Sequence, residues 1–240
     1  FFNSISKFAL SQLTKLWSLA QSNLPKNIFS FSIRYINNSL PTGQNLVRWN
    51  LSATSDCRNC LLPETLLHVV AGCKSYLNRY TWRHDSVLNA LANTFSAVSD
   101  AKLFADLPGY NSPSIITGDE YRPDMLLITS DNTLYVAELT VGHESNLENN
   151  SVRKKHKYYN LVKELKNHYK SVFFVNISMS CLGVFANESI SLLTMFNKLG
   201  FDTKLQDFCI KRMTTIAIRT TYFVFCSRNK EWENPILLSY

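Results

Sequence analysis

The chain has 240 residues, of which 45% are hydrophobic and 18% charged. That is enough length and apolar content for a packed core of one large or two small domains, which excludes an intrinsically disordered chain. Lys and Arg number 25 against 18 Asp and Glu, a formal charge of +7 with a pI near 9.1, which favours an anionic partner such as nucleic acid. A membrane span is not expected: even FCIKRMTTIAIRTTYFVFC is interrupted by Lys211, Arg212 and Arg219, short of the roughly 18 uninterrupted apolar residues a span requires.

The chain opens Phe-Phe-Asn, with no Met and no signal-peptide pattern, and reads as a segment of something longer. Residues 1–52 read as a helical connector. Phe8, Leu10, Leu13, Leu16, Trp17 and Ala20 recur at spacings of mostly three and four, one face of a helix. Pro25 opens a second helix, expected to end before the turn signal Pro41-Thr42-Gly43.

Six cysteines divide into a tight group (Cys57, Cys60, Cys73) and three scattered ones (Cys181, Cys209, Cys226). That distribution predicts a metal site plus buried free thiols in a reducing, intracellular compartment, not a disulfide framework. With His68 the group reads C-x2-C-x7-H-x4-C. A tight turn can present two cysteines three apart, and a short helix can bring His68 and Cys73 round to close a tetrahedron. Three thiolates and an imidazole suit zinc. Because protein fills all four positions, the site is expected to be structural, a knuckle spanning 53–80 with Pro63-Glu64 at the turn between the ligand pairs.

Residues 81–240 read as a third unit. RYTWRHDSVLNALANTFSAV marks a helix, and LPGYNSPSIITGDEYRP a loop. A hairpin follows in RPDMLLITSDNTLYVAELTV, then a helix, the strand SVFFVNISM, a helix capped by Asn187, and a closing helix over 203–228. The order predicts an α/β (α+β) fold, one small sheet flanked by helices.

The hairpin carries Asp124 at the mouth of its first strand and Glu138 inside its second. Pro123 biases Arg122 toward an extended backbone. If Ser130-Asp131-Asn132 form a three-residue loop, Asp124 faces Glu138 on one side of the sheet; a two-residue Asp131-Asn132 turn would put Glu138 on the other side. Opposed carboxylates repel unless a cation lies between them, and hard oxygen ligands select magnesium or manganese. Glu138 could equally lie on an exposed sheet face, but its neighbours Leu134, Tyr135, Val136, Ala137, Leu139 and Val141 are apolar on both faces, so a lone carboxylate there needs a partner or a function.

Val141 to Lys170 holds seven basic residues against three acids, a run that also suits a solvated helix face. Lys154 and Lys157 share a helical stripe with Tyr158 and Leu161, which places them at the border of the sheet. A metal, two carboxylates and an ammonium are the parts needed for phosphodiester hydrolysis.

Together, C-x2-C-x7-H-x4-C, RYTWRHD, RPD, a second acid fourteen residues on in AELTV, and KKHKY resemble the C-terminal region of site-specific non-LTR retrotransposon polyproteins. In that region a zinc knuckle precedes a restriction-like endonuclease of the PD-(D/E)xK class. The resemblance runs from about LPKNIFSFSIRYINNSLPTGQNLVRWNL to the C-terminus. It implies a restriction-endonuclease-like mixed sheet and a nuclease that nicks target DNA in the nucleus to prime reverse transcription. The implied partners are DNA, RNA of the same element and an upstream reverse-transcriptase domain. By the same resemblance Asp124 and Glu138 would hold magnesium or manganese. Thr140 stands where a lysine usually follows the second acid, so Lys154 or Lys157 would take that role. Lys155, Tyr158, Arg83 and His84 would lie along the nucleic acid, although His84 reads equally as a packing or capping residue. A catalytically inactive nucleic-acid-binding or assembly module is the competing expectation.

Overall fold

A computed structural model describes residues 9–238; Phe8 and the opening Phe-Phe-Asn lie outside the described residues. After a 3-10 turn at Ser11–Leu13 come α1 (Thr14–Ser22), α2 (Lys26–Ile36) and α3 (Gly43–Arg48). Then follow α4 (Leu77–Phe95), β1 (Lys102–Ala105), α5 (Ser114–Tyr121), β2 (Met125–Ile128), β3 (Thr133–Gly142), α6 (Leu147–Leu165), β4 (Ser171–Ser180), α7 (Ile190–Lys198) and α8 (Thr203–Cys226).

The four strands form one sheet in the order β1-β2-β3-β4. The first two pairings are antiparallel, and β3 lies parallel to β4 across the α6 crossover. The mixed α+β architecture expected from the sequence is therefore present. Period-two alternation sorts the strand residues between two cores. Met125, Leu127, Tyr135, Ala137, Leu139, Val175 and Ile177 join Leu88, Leu91 and Phe95 of α4 and Met213 and Ile216 of α8. Leu126, Leu134, Val136 and Val172 pack beneath Tyr158, Leu161 and Leu165 of α6. β3 is thus buried on both faces, which explains its nearly unbroken apolar run.

The β2–β3 hairpin has the three-residue loop. The Thr129 N–H donates to Thr133 O at 3.0 Å and the Asn132 N–H to Thr129 O at 3.0 Å. Asn132 takes φ 61°, the left-handed residue that closes such a loop. Both hydroxyls that flank the turn, on Thr129 and Thr133, bond to the Asp131 carboxylate.

Several local expectations are corrected. Lys102–Ala105 adds a fourth strand, and the segment read as loop contains α5, kinked where Gly118 takes φ 70°. Pro41-Thr42-Gly43 starts a helix instead of only ending one: Thr42 Oγ1 accepts from the Asn45 N–H at 3.2 Å. Arg122 is not extended but left-handed, φ 37°, because it ends α5. Its side chain bonds Asp106 at 2.7 Å, and the Tyr158 hydroxyl donates to Tyr121 O at 3.0 Å. Asn187 does not cap α7; it opens a 3-10 turn over Asn187–Ser189. That turn is pinned to β4, where the Ser189 hydroxyl both donates to Ser178 O and accepts from the Ser178 N–H, at 2.9 and 3.0 Å. Of the scattered thiols Cys181 and Cys209 are buried, but Cys226 is exposed.

The helical segment, the cysteine loop and the sheet unit share apolar packing. Phe31, Tyr35 and Leu40 meet Val69 and Val70 of the cysteine loop together with Cys181 and Phe225. Among the described residues no helix is long and apolar enough to cross a membrane.

Candidate metal centre and acidic site

The cysteine loop folds back on itself at an isolated bridge between Asp56 and Pro63. The Cys57 N–H donates to Leu62 O at 2.8 Å and the Leu61 N–H to Cys57 O at 2.9 Å, which turns Cys57 and Cys60 the same way. His68 begins a π-helical turn, His68–Gly72, closed when the Cys73 N–H donates to His68 O at 2.8 Å. The wider turn sets Cys73 back beneath His68.

The ligand atoms of Cys57, Cys60, His68 and Cys73 all lie within 4.8 Å of one another. Sγ of Cys73 stands 3.9 Å from Cys57 Sγ and 3.8 Å from Cys60 Sγ, and Cys60 Sγ is 3.3 Å from His68 Nε2. Thiolates held about 2.3 Å from a tetrahedral ion stand roughly 3.8 Å apart, so the cluster can hold a metal ion and its donors are compatible with zinc. Burial keeps His68 below its usual value, in the neutral form that ligates. Burial and its sulfur neighbours push the Cys73 thiol up to about 11, whereas backbone N–H bonds from Asn59 and Cys60 hold Cys57 low against burial. The first thiol to ionise raises the next, a penalty that a bound cation removes.

Second contacts fix this geometry. The Tyr80 hydroxyl accepts from the Cys73 N–H at 3.1 Å and lies 3.0 Å from the carbonyls of His68 and Val69. Glu64 is buried; its Oε1 accepts from the Gly43 N–H at 3.0 Å and pairs with Arg228 at 3.3 Å, tying the loop to α3 and the C-terminal segment.

The acidic site lies on the α6 side of the sheet. Since Met125 pairs with Ala137, the next step of the register brings Asp124 opposite Glu138. The Asp124 N–H donates to Glu138 Oε2 at 3.3 Å, and the Leu139 N–H donates to Asp124 Oδ2 at 2.7 Å. Glu138 is 2% exposed. Lys154 reaches it from the core-facing stripe of α6, where Ser151, Tyr158, Leu161 and Leu165 are buried, and its ammonium is ion-paired to Glu138 Oε1. Burial, reinforced by Lys157, holds that ammonium below the usual lysine value even though Asp124 opposes the shift.

His84 of α4 approaches from the opposite layer. Its Nε2 is 3.3 Å from Asp124 Oδ2 and its Nδ1 is 2.9 Å from Asp85 Oδ1. Burial disfavours the imidazolium, but Asp124 and Asp85 outweigh it and raise His84 to about 10. Asp124 is lowered in turn: burial opposes the charge, and His84, Lys154 and the Leu139 N–H overcome it.

The remaining candidates divide. Lys157 does not reach the carboxylates; its ammonium donates to Tyr121 O at 2.7 Å and to the Tyr158 hydroxyl at 3.1 Å. Lys155 is exposed. Arg83, expected along nucleic acid, is 1% exposed. It spends its guanidinium inside, donating to Val70 O at 2.8 Å and toward Thr221 Oγ1 and Val141 O at 3.4 Å. Tyr158, also expected there, is 1% exposed and is packed by stacking on Phe174. Both are corrected to core residues: an adjacent carbonyl or ring captures each before it can reach solvent.

Two site residues escaped the sequence reading. Asn176 lies beside Glu138 in the parallel register of β4. It is 2% exposed, with Nδ2 donating to Ser151 Oγ at 2.8 Å. A polar residue within VFFVNISMS was the available signal. Asp106 follows β1, and its N–H donates to Asp124 O at 2.9 Å; with β1 unread, nothing placed it near Asp124. Asp106, Asp124, Glu138 and Asn176 thus stand at neighbouring positions in or directly beside the four strands.

No protein-family model matches the chain, and the search of curated proteins returns no match.

Proposed function

We propose that the chain is a metal-dependent phosphodiester hydrolase, a DNA-nicking module of a retrotransposon polyprotein, with a zinc knuckle as its structural staple. The observation that carries this reading is the facing of Asp124 and Glu138 across two strands, with the Lys154 ammonium on Glu138.

The donor set fits a hard divalent cation: two carboxylates from adjacent strands, set in a chain whose charge favours a polyanion. The bonds from Leu139 and His84 both fall on Asp124 Oδ2, which leaves Oδ1 as the oxygen for a cation. Asp124 and Glu138 would hold magnesium or manganese, which when bound supplies Lewis acidity at the phosphate and a more acidic water. Lys154 orients the attacking water and meets the developing charge on the phosphoryl oxygens. The Leu139 N–H and His84 hold the Asp124 carboxylate ionised and in place. Asn176, beside Glu138 on β4, is tied to Ser151 of α6. In the knuckle, zinc would bind Cys57, Cys60, His68 and Cys73 and fasten the helical segment to the sheet unit.

One observation favours a second reading. Glu138 and Asp124 are each already paired with a cation of the chain, Lys154 and His84, which is also how a purely structural polar cluster neutralises itself. On that reading the module binds nucleic acid or assembles without cutting. Incubation with supercoiled plasmid separates the two. The nuclease reading expects open circles with magnesium or manganese and none when both are omitted; intact plasmid under every metal condition contradicts it.

A further inference from the structure

The outer flank of α6 carries a stripe that the acidic site does not use. Lys155, Tyr159, Val162, Lys163 and Lys166 recur at helical spacing, and with Tyr158 and Phe174 they line a groove of about 390 Å³ between α6 and β4. Its floor is rigid, because the Tyr158 and Phe174 rings stack at 5.5 Å and 29°. Its rim carries Tyr159, 68% exposed, and three exposed lysines. No carboxylate lies within ion-pair distance of those lysines among the described residues. From Lys155 to Lys166 the stripe extends about 16 Å along the helix, and it begins one residue from Lys154.

We infer that this groove binds a single-stranded stretch of nucleic acid, with a base stacked on Tyr159 and phosphates on Lys155, Lys163 and Lys166. The charge points to a polyanion. An open aromatic ring beside an apolar wall can stack only with an unstacked base, which a duplex does not present. The inference rests on the phosphodiester-substrate reading above and adds the path taken by a strand leaving the acids.

Fluorescence anisotropy of the full chain with labelled oligothymidylate in buffer free of magnesium and manganese tests it without cleavage. Tyr159→Ala should weaken binding roughly tenfold with the salt dependence unchanged, and Tyr159→Phe should restore it. Lys163→Gln with Lys166→Gln should weaken binding and reduce the log–log salt slope by about 1.4, the share of two single-strand phosphate contacts. A duplex of equal length should lose little from Tyr159→Ala. Oligouridylate in parallel distinguishes RNA from DNA, and a Tyr159-dependent loss on either strand supports the groove. Affinity for both strands unchanged by Tyr159→Ala, or an equal loss on duplex, overturns it. A protein that binds strands through Tyr159 but never nicks refutes the nuclease reading alone; one that nicks but ignores Tyr159 refutes the groove alone.

Discussion

The backbone N–H of Asp124 donates to the carboxylate of Glu138 at 3.3 Å, fourteen residues further along the chain. The two acids are joined by the hairpin, so the register of one three-residue turn decides whether they meet. Lys154 is drawn to Glu138 because the core-facing stripe of α6 carries it over the sheet. Lys154→Met should leave the Glu138 carboxylate buried without its cation and cost about 3–5 kcal/mol of stability. Adding Glu138→Leu should recover most of that. Chemical denaturation of the singles and the double reads the coupling, and additive losses would contradict a shared ion pair.

Removal of the knuckle's metal should be as costly. The protein as purified should carry one equivalent of zinc, and chelation should lower its stability by several kcal/mol, since a structural site gains its binding energy on folding. Cys60→Ser should reproduce this loss, and Cys226→Ser, at an exposed thiol, should not. Metal analysis of the two variants checks both.

The metal cluster was the most legible feature of the sequence, because its ligand spacing lies within seventeen residues and needs no tertiary information. The hairpin register was conditional on a turn that Asn132 could close. Arg83 and Tyr158 misled for the opposite reason. Whether an arginine or tyrosine on a helix meets solvent depends on carbonyls and rings supplied by distant segments, Val70 and Thr221 in one case, Tyr121 and Phe174 in the other. β1 was missed because KLFA is four residues long and shows no alternation of its own; it is a strand because β2 needs a partner on its outer edge.

Arg83 should therefore act on folding and not on nucleic acid. Arg83→Met strands the buried carbonyls of Val70 and Val141, and a loss of about 3 kcal/mol is expected from unsatisfied groups of this kind. The salt dependence of DNA binding should be unchanged, and anisotropy at several ionic strengths measures it.

A pH dependence follows from Glu144, 5% exposed and raised by burial to about 7. The Tyr35 hydroxyl donates to its Oε2 at 3.1 Å, and His143, itself lowered by burial to about 4, lies 3.5 Å away. Arg83 and Ser180 favour the charged form without overcoming burial. The folded state therefore keeps a proton on Glu144 that the unfolded chain has lost, so this group's contribution is full below the unfolded value of 4.5 and is lost as pH rises toward 7, against the opposite slope that the lowered His143 adds between about 4 and 6.5. Glu144→Gln should remove about 3 kcal/mol of that slope across this window. Denaturation midpoints at several pH values test it, and an unchanged slope would contradict the assignment.

The central claim is tested most directly by nicking of supercoiled plasmid in magnesium by the unaltered chain, Asp124→Asn and Glu138→Gln side by side, with circular dichroism and oligothymidylate binding as controls for folding. The account predicts open circles from the unaltered chain alone, with every protein assayed under conditions where circular dichroism shows it folded. Undiminished nicking by folded Asp124→Asn would contradict it.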